Sequence, residues 1–134
     1  MFCIDASVII SAARETEVDS QRSGRFLDSI REDHQRVFLP EIAIAEVASG
    51  LFRATKNADY SKAFAEALRM IPNFIFISID RRLCDSAVTA ICKTGLRSAD
   101  ALYVALAYEY QLTLVTLDRE QLKKGAKIIS SRLP

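Results

Sequence analysis

Residues 1–13 read MFCIDASVIISAA, a short buried strand over 1–5 followed at once by an apolar helix at about 7–13. The rest of the chain repeats this change from strand to helix. Further strands are predicted at 36–39 (RVFL), 74–79 (FIFISI), 112–117 (LTLVTL) and 126–130 (AKIIS). Strands that are nearly continuous in apolar residues and separated by helices predict a parallel sheet covered on both faces. The expected fold class is therefore a three-layer α/β/α domain with a central, mainly parallel sheet.

The helices expected between these strands have recognisable ends. They are predicted at about 22–34, 41–55, 60–70, 80–95, 99–110 and 119–124. Pro40 suits the first turn of a helix, Asp80 and Ser98 are predicted N-caps, and Gly95 suits a helix end. Residues 14–24 are polar and are expected to form a loop that leads into the next helix.

Length and composition favour one ordinary globular domain over residues 1–134. Half of the 134 residues are hydrophobic and 26% are charged, which argues against disorder. No apolar run approaches the roughly 18–20 residues that a membrane span needs. The N-terminus lacks a basic region and carries Asp5 within its apolar stretch, so a signal peptide is not expected.

The cysteines and the histidine exclude several kinds of site. Cys3, Cys84 and Cys92 are odd in number and form no CxxC pair, which argues against a disulfide framework or structural zinc and for a reducing cytoplasm. All three are expected to be small buried hydrophobic residues. His34, the only histidine, lies in a charged stretch and is expected on the surface. A two-histidine nuclease is thereby excluded, and a Ser-His-Asp hydrolase is disfavoured.

Four acidic residues stand almost alone in apolar segments. Asp5 is the only charged residue of 1–13, Glu46 of 42–52 and Asp100 of 98–108, and Asp118 directly follows the strand at 112–117. Burial of an unpaired carboxylate costs several kcal/mol, so such groups are normally paired, protonated or bound to metal.

These acids are expected to converge at one edge of the sheet. Asp5 and Asp118 end two strands, and ligands of open α/β sheets bind beyond the carboxyl ends of the strands. No arginine or lysine is adjacent in sequence to Asp5, Glu46 or Asp100. Gathered carboxylates repel one another unless a cation lies among them, and hard oxygen ligands suit Mg²⁺ or Mn²⁺. With four acids engaged by metal, 13 acidic residues would face 18 basic ones, a balance that permits binding to a phosphate backbone.

Each acid also has a structural interpretation. Asp100 could favour the dipole of its helix, and Asp118 could cap the helix that follows it. Glu46 shares a helical face with Ser49 and Arg53 that could face water. Asp5 is the hardest to explain in this way, because it has little expected local structural use.

Neighbouring residues refine the candidate site. Ser7 and Thr116 lie two residues from Asp5 and Asp118, a spacing that places side chains on one face of an extended chain. They are candidates for positioning substrate or water, or else a helix cap and an ordinary strand residue. Asp80 also follows an apolar strand, but Arg81 and Arg82 lie beside it and capping explains it. Glu41 is likewise expected to be only a helix-start acid.

The segments FCIDASVII, PEIAIAEV, RSADALYVALA and LTLVTLD hold the four acids in order. With these segments the chain resembles the PIN domain family, and within it the small VapC-type toxins, over essentially its whole length. Ala6 departs from this pattern, because many relatives carry a small hydroxyl residue there. The resemblance implies a Rossmann-like fold and cleavage of RNA with Mg²⁺ or Mn²⁺, with Asp5, Glu46, Asp100 and Asp118 as the metal-binding and catalytic acids.

The resemblance also leads to a mechanistic hypothesis. Asp5 and Asp100 are expected to bind metal directly, whereas Glu46 and Asp118 orient water or complete a second metal site, and cleavage leaves 5′-phosphate and 3′-hydroxyl ends. Relatives of this type are commonly homodimers and often toxins neutralised by an antitoxin protein. The helix at 60–71 (Phe64, Leu68 and Ile71) would contribute to an interface or to ordinary core.

Three other functions are compatible with parts of this pattern. A phosphotransferase would use Asp5 as a nucleophile, but Ser7 stands where that chemistry usually places a second acid. A catalytically silent PIN-like binding module would keep the fold without the metal. An RNA-processing nuclease outside any toxin–antitoxin system would keep both the fold and the metal.

Overall fold

The central sheet is entirely parallel. In this computed structural model, which describes all of residues 1–134, the strands are β1 (Phe2–Ile4), β2 (Val37–Pro40), β3 (Phe74–Ile77), β4 (Thr113–Val115) and β5 (Ser131–Arg132). They are arranged in the order β3-β2-β1-β4-β5. β1 therefore lies in the middle, paired with β2 on one side and β4 on the other. The carboxyl ends of all five strands meet at one edge, which is where Asp5 follows β1.

Seven helices cover the sheet and complete a three-layer α/β/α fold, as the sequence predicts. They are α1 (Ala6–Ala12), α2 (Ser20–Glu32), α3 (Ile42–Thr55), α4 (Ala58–Leu68), α5 (Arg81–Thr94), α6 (Ser98–Glu109) and α7 (Arg119–Gly125). Helices α1 to α4 pack together as one group, and α5 packs on α6. Helix α6 also contacts β1, β2 and β4, which places it directly over the middle of the sheet.

The hydrophobic core explains why these strands and α6 are so apolar. Ile4, Leu39 and Leu114, on three neighbouring strands, are completely buried. Helix α6 buries Tyr103, Val104 and several neighbours, so it carries almost no polar face. Such a helix is held by packing on both sides rather than by one apolar stripe.

Two predicted helix ends are confirmed. Asp80 caps α5, because its Oδ1 accepts a hydrogen bond of 2.9 Å from the amide of Leu83. Gly95 ends the same helix with a φ of +68°, a left-handed conformation that costs glycine little because it has no Cβ.

Three other boundary predictions are wrong. The last strand is β5, not 126–130, because the amides of Ile128 and Ile129 both donate to the carbonyl of Gly125 and continue α7 as a turn. Pro40 is the final residue of β2 rather than part of a helical turn. Ser98 is the first residue of α6 and forms no side-chain cap, because Arg97 occupies the cap position.

The cysteines only partly match expectation. All three are free thiols, and Cys3 is buried, but Cys84 and Cys92 are exposed. Both lie on polar positions of the amphipathic helix α5, so their surroundings are set by the helix face and not by their modest hydrophobicity. His34 is exposed, as predicted. None of the helices has the length and apolar character to span a membrane.

Candidate active site

Asp5 lies at the carboxyl end of the central strand and is almost fully buried, with 7% of its surface exposed. Its amide donates to the carbonyl of Val115, 2.9 Å away, which ties the end of β1 to β4. Its Oδ2 accepts a 3.0 Å hydrogen bond from the amide of Ser7 and so caps α1. The expectation that Asp5 has little local structural use is therefore wrong.

Asp118 reaches the same edge from the end of the neighbouring strand β4. Its Oδ1 accepts hydrogen bonds of 2.8 Å from the amides of Glu120 and Gln121 and caps α7. Its other oxygen, Oδ2, makes no cap bond and lies 3.6 Å from an Arg97 Nη2. The predicted capping role is confirmed, and it leaves one carboxylate oxygen directed elsewhere.

Asp100 lies in the first turn of α6 and has a counter-ion, Arg97, which is three residues away and not adjacent in sequence. The Nε of Arg97 is 3.3 Å from Asp100 Oδ2, and the same guanidinium reaches Asp118. A spacing of three residues along a helix brings side chains together, and this spacing places Arg97 beside Asp100. Because 74% of the Arg97 side chain is exposed, these contacts contribute only about 0–1 kcal/mol.

Glu46 approaches the other acids from α3 and is half-buried rather than facing water with Ser49 and Arg53, which are exposed. Its Oε2 accepts a 2.5 Å hydrogen bond from the hydroxyl of Tyr103 on α6. Tyr103 is completely buried, so this bond links α3 to α6 at the edge of the core. Tyr103 lies three residues after Asp100, a spacing that shares a helical face, but its apolar surroundings hid its polar role.

Electrostatic coupling shows that the four acids are neighbours. Burial is the main cause that raises the pKa of Asp5, of Glu46 and of Asp100. The charges of Asp5 and Asp100 raise the pKa of Glu46 further, and those of Asp118 and Asp5 add to the pKa of Asp100. Hydrogen bonds from Ser7, Gln121 and Thr116 lower the pKa of Asp5 and partly offset its burial. We call Asp5, Glu46, Asp100 and Asp118 the acidic site.

Gln121 is a completely buried polar residue next to the acidic site that sequence reasoning missed. Its Nε2 lies 3.5 Å from Asp5 Oδ1 and 3.4 Å from the carbonyl of Asp100, and its Oε1 has no hydrogen-bond partner. A glutamine three residues after a capping acid is a recognised helix-start pattern, which was the available signal. Here the side chain turns inward and links two of the acids.

The predicted hydroxyl residues hold the backbone of this edge together. The hydroxyl of Ser7 accepts from the amide of Leu117 at 3.1 Å, and that of Thr116 accepts from the amide of Asp118 at 3.0 Å. Both residues also lower the pKa of Asp5. A role in positioning substrate or water stays a prediction.

The chemistry of the donor set fits a hard divalent cation. Carboxylates that repel one another and an orphaned buried amide oxygen, on Gln121, are oxygen donors of the kind that Mg²⁺ and Mn²⁺ prefer. As placed, however, no three acidic, histidine or cysteine side chains are grouped so that they could hold one ion. Glu46 is instead turned to Tyr103, and Asp100 to Arg97.

The chain is similar to a known family over most of its length. The family model of the PIN domain matches residues 2–127 of the chain. No curated protein sequence matches the chain.

Several solved structures share the fold. VapC20 of Mycobacterium tuberculosis, described as a sarcin-ricin loop cleaving toxin, superimposes with a TM-score of 0.82 at 14% identity, over 100% of both chains. FitAcB from Neisseria gonorrhoeae gives 0.73 at 23% identity, over 98% of this chain and 96% of that one. A toxin–antitoxin complex from Klebsiella pneumoniae gives 0.74 at 17% identity, over 100% and 98% respectively.

Proposed function

The chain belongs to the PIN domain family, and on that premise we propose that it is a divalent-metal-dependent endoribonuclease that hydrolyses phosphodiester bonds of RNA. The observation that carries the proposal is the acidic site, which gathers carboxylates from the ends of β1 and β4 and from α3 and α6, and in which neighbouring acids raise the pKa values of Glu46 and Asp100. Such mutual repulsion has no benefit for folding, but it creates a strong field for a cation.

Asp5 and Asp100 would hold the ion directly, and Glu46 and Asp118 would orient water or complete a second site. Because the acids are not grouped around one point, binding requires that side chains rotate. The exposed Arg97 is a weak partner that Asp100 can exchange, and Asp118 already has Oδ2 free of its cap bonds. Asp5 is held by Ser7 and Gln121 and provides the fixed part of the site.

The bound ion would lower the pKa of water and stabilise negative charge on the reacting phosphate. The protein's own residues supply the remaining requirements. Gln121 and the Ser7 amide orient the Asp5 carboxylate, and Tyr103 orients Glu46. The half-buried Glu46, with its raised pKa, is suited to accept a proton from attacking water.

We further propose that the chain is the toxin of a toxin–antitoxin pair, acts in the cytoplasm and forms a homodimer. The likeness to VapC20 and to toxin–antitoxin complexes supports a protein partner, and the free thiols fit a reducing compartment. Residues Phe64 and Ile71 of the predicted interface are only partly buried, whereas Leu68 is in the core.

Cleavage of a labelled RNA by the purified full-length chain tests the proposal. We expect cleavage with Mg²⁺ or Mn²⁺, its loss after chelation and its recovery when metal is restored. Calorimetric titration with Mn²⁺ separates the alternatives. A silent binding module would neither cleave RNA nor bind Mn²⁺ through Asp5 and Asp100, and a trapped phospho-aspartate would indicate a phosphotransferase. A nuclease that does not arrest growth when expressed would be the RNA-processing enzyme.

Gln121→Leu is expected to weaken Mn²⁺ binding by about ten-fold or more, because residues that orient metal ligands typically contribute this much. The free energy of unfolding should stay within about 1 kcal/mol of wild type, since the substitution removes an unpaired buried oxygen along with two long hydrogen bonds. Calorimetry with Mn²⁺ and thermal unfolding measure the two effects. The control is Gln21→Leu on the exposed face of α2. Unchanged Mn²⁺ affinity, or a large loss of stability, would show that Gln121 serves only the core.

A further inference from the structure

A polar cleft of about 600 Å³ adjoins the acidic site. Its wall near the site contains Ser7 and Asp118, and its outer part contains Arg14, Glu17, Asp19 and Arg53. The cleft therefore runs from Asp118 of the acidic site to a stretch of surface between α1 and the end of α3 where charges of both signs lie.

The charges in this cleft are unevenly compensated. Arg14 pairs with Glu17, Asp19 lies 3.7 Å from Arg22, and Asp118 pairs with Arg97. Arg53 is the one charged residue of the cleft without an ion-pair partner, and its side chain is exposed. The cleft thus presents a free guanidinium, a group whose planar fork matches a phosphate.

The position of Arg53 relates it to the acidic site. It lies seven residues after Glu46 on α3, two helical turns further along the helix, which is about 10 Å along the axis. We propose that Arg53 binds a backbone phosphate next to the one that is cleaved, so that this cleft guides one arm of the RNA strand into the acidic site. The inference rests on the proposed ribonuclease function. The other interpretation is that Arg53 only stabilises the C-terminal end of α3 through the helix dipole.

Binding of a fluorescein-labelled single-stranded RNA tests this inference. Every protein in this experiment carries Asp5→Asn, and the buffer contains no divalent ions, so that the RNA is not cleaved. Fluorescence anisotropy then measures RNA binding at several salt concentrations. Adding Arg53→Ala is expected to raise Kd about five-fold, the equivalent of roughly 1 kcal/mol. It should also reduce the slope of log affinity against log salt by about 0.7, the value for one phosphate contact on a single strand. Arg53→Lys should keep the slope, because the charge remains.

Arg36→Ala is the matched control, because Arg36 is also exposed and unpaired but precedes β2 at the opposite edge of the sheet. It should leave both Kd and slope unchanged. An unchanged slope for Arg53→Ala, with or without a loss of thermal stability, would overturn the phosphate contact. In that case, RNA cleavage by the wild-type chain with Mn²⁺ would still support the proposed ribonuclease function. Absence of cleavage by the wild-type chain would overturn both the proposed function and the phosphate contact of Arg53.

Discussion

Asp5→Asn is expected to reduce RNA cleavage on the order of 10³-fold, the loss typical of a charged group that acts on the reacting centre. Asp5 is the central acid of the site, since its charge raises the pKa of both Glu46 and Asp100. Asparagine has the same shape but one neutral donor in place of a negative oxygen, so the field that attracts a cation is lost. Single-turnover cleavage of a labelled RNA with Mn²⁺ measures the effect.

The same substitution should leave the fold intact. Asparagine is as good an N-cap as aspartate, so the hydrogen bond from the Ser7 amide to residue 5 is retained. Removal of a buried charge also relieves a desolvation cost. The thermal unfolding midpoint of Asp5→Asn is therefore expected at or above that of wild type.

Asp80→Asn provides a matched control for this experiment. Asp80 also follows a strand and caps a helix through a backbone amide, that of Leu83, but it is exposed. Its substitution should leave cleavage unchanged. Wild-type cleavage by Asp5→Asn, or an equal loss in both variants, would contradict the assignment of Asp5 to the active site.

The four acids were recognisable in the sequence because isolation in apolar segments is a signal that does not depend on the details of folding. Asp5 and Asp118 follow parallel strands, whose carboxyl ends meet at one edge of the sheet whatever the details of the loops. The order of strands was not predictable in this way, because it depends on which helix covers which face. Nor was the position of β5, since the residues Ile128 and Ile129 have strand-like character but pack within a turn after α7.

The residues that contact the acids were harder to predict from the sequence than the acids themselves. Arg97 and Gln121 are three residues from Asp100 and Asp118 respectively, and either could have been surface residues on the evidence of spacing alone. Their contacts depend on the side-chain directions at the start of α6 and α7. Tyr103 was hidden for a different reason, because aromatic residues in an apolar helix are usually core, and here Tyr103 is both core and hydrogen-bond donor.

Tyr103→Ala is expected to lower the free energy of unfolding by about 3–5 kcal/mol, the usual cost of truncating a buried aromatic side chain to alanine. Tyr103 is completely buried on α6, and its hydroxyl reaches Glu46 on α3, in the other group of helices. Truncation would leave a cavity through the middle of the core and leave Glu46 without its donor. The free energy of unfolding of such a domain is about 5–15 kcal/mol in total, and a loss of this size should lower the thermal unfolding midpoint by roughly 10–20 °C.

Tyr103→Phe separates the two contributions of this side chain. It keeps the ring, so the loss of stability should be limited to about 1.5–3 kcal/mol for one hydrogen bond to a carboxylate. The rate of RNA cleavage should fall even at temperatures where the variant is fully folded, because Glu46 would no longer be held by the hydroxyl. Tyr108→Ala, on the same helix but 61% exposed, is the control and should change the free energy of unfolding by about 0.5 kcal/mol or less.

If Tyr103→Ala unfolded at the same temperature as Tyr108→Ala, the ring would not be part of the core. If Tyr103→Phe cleaved RNA at the wild-type rate, the hydrogen bond to Glu46 would have no part in catalysis.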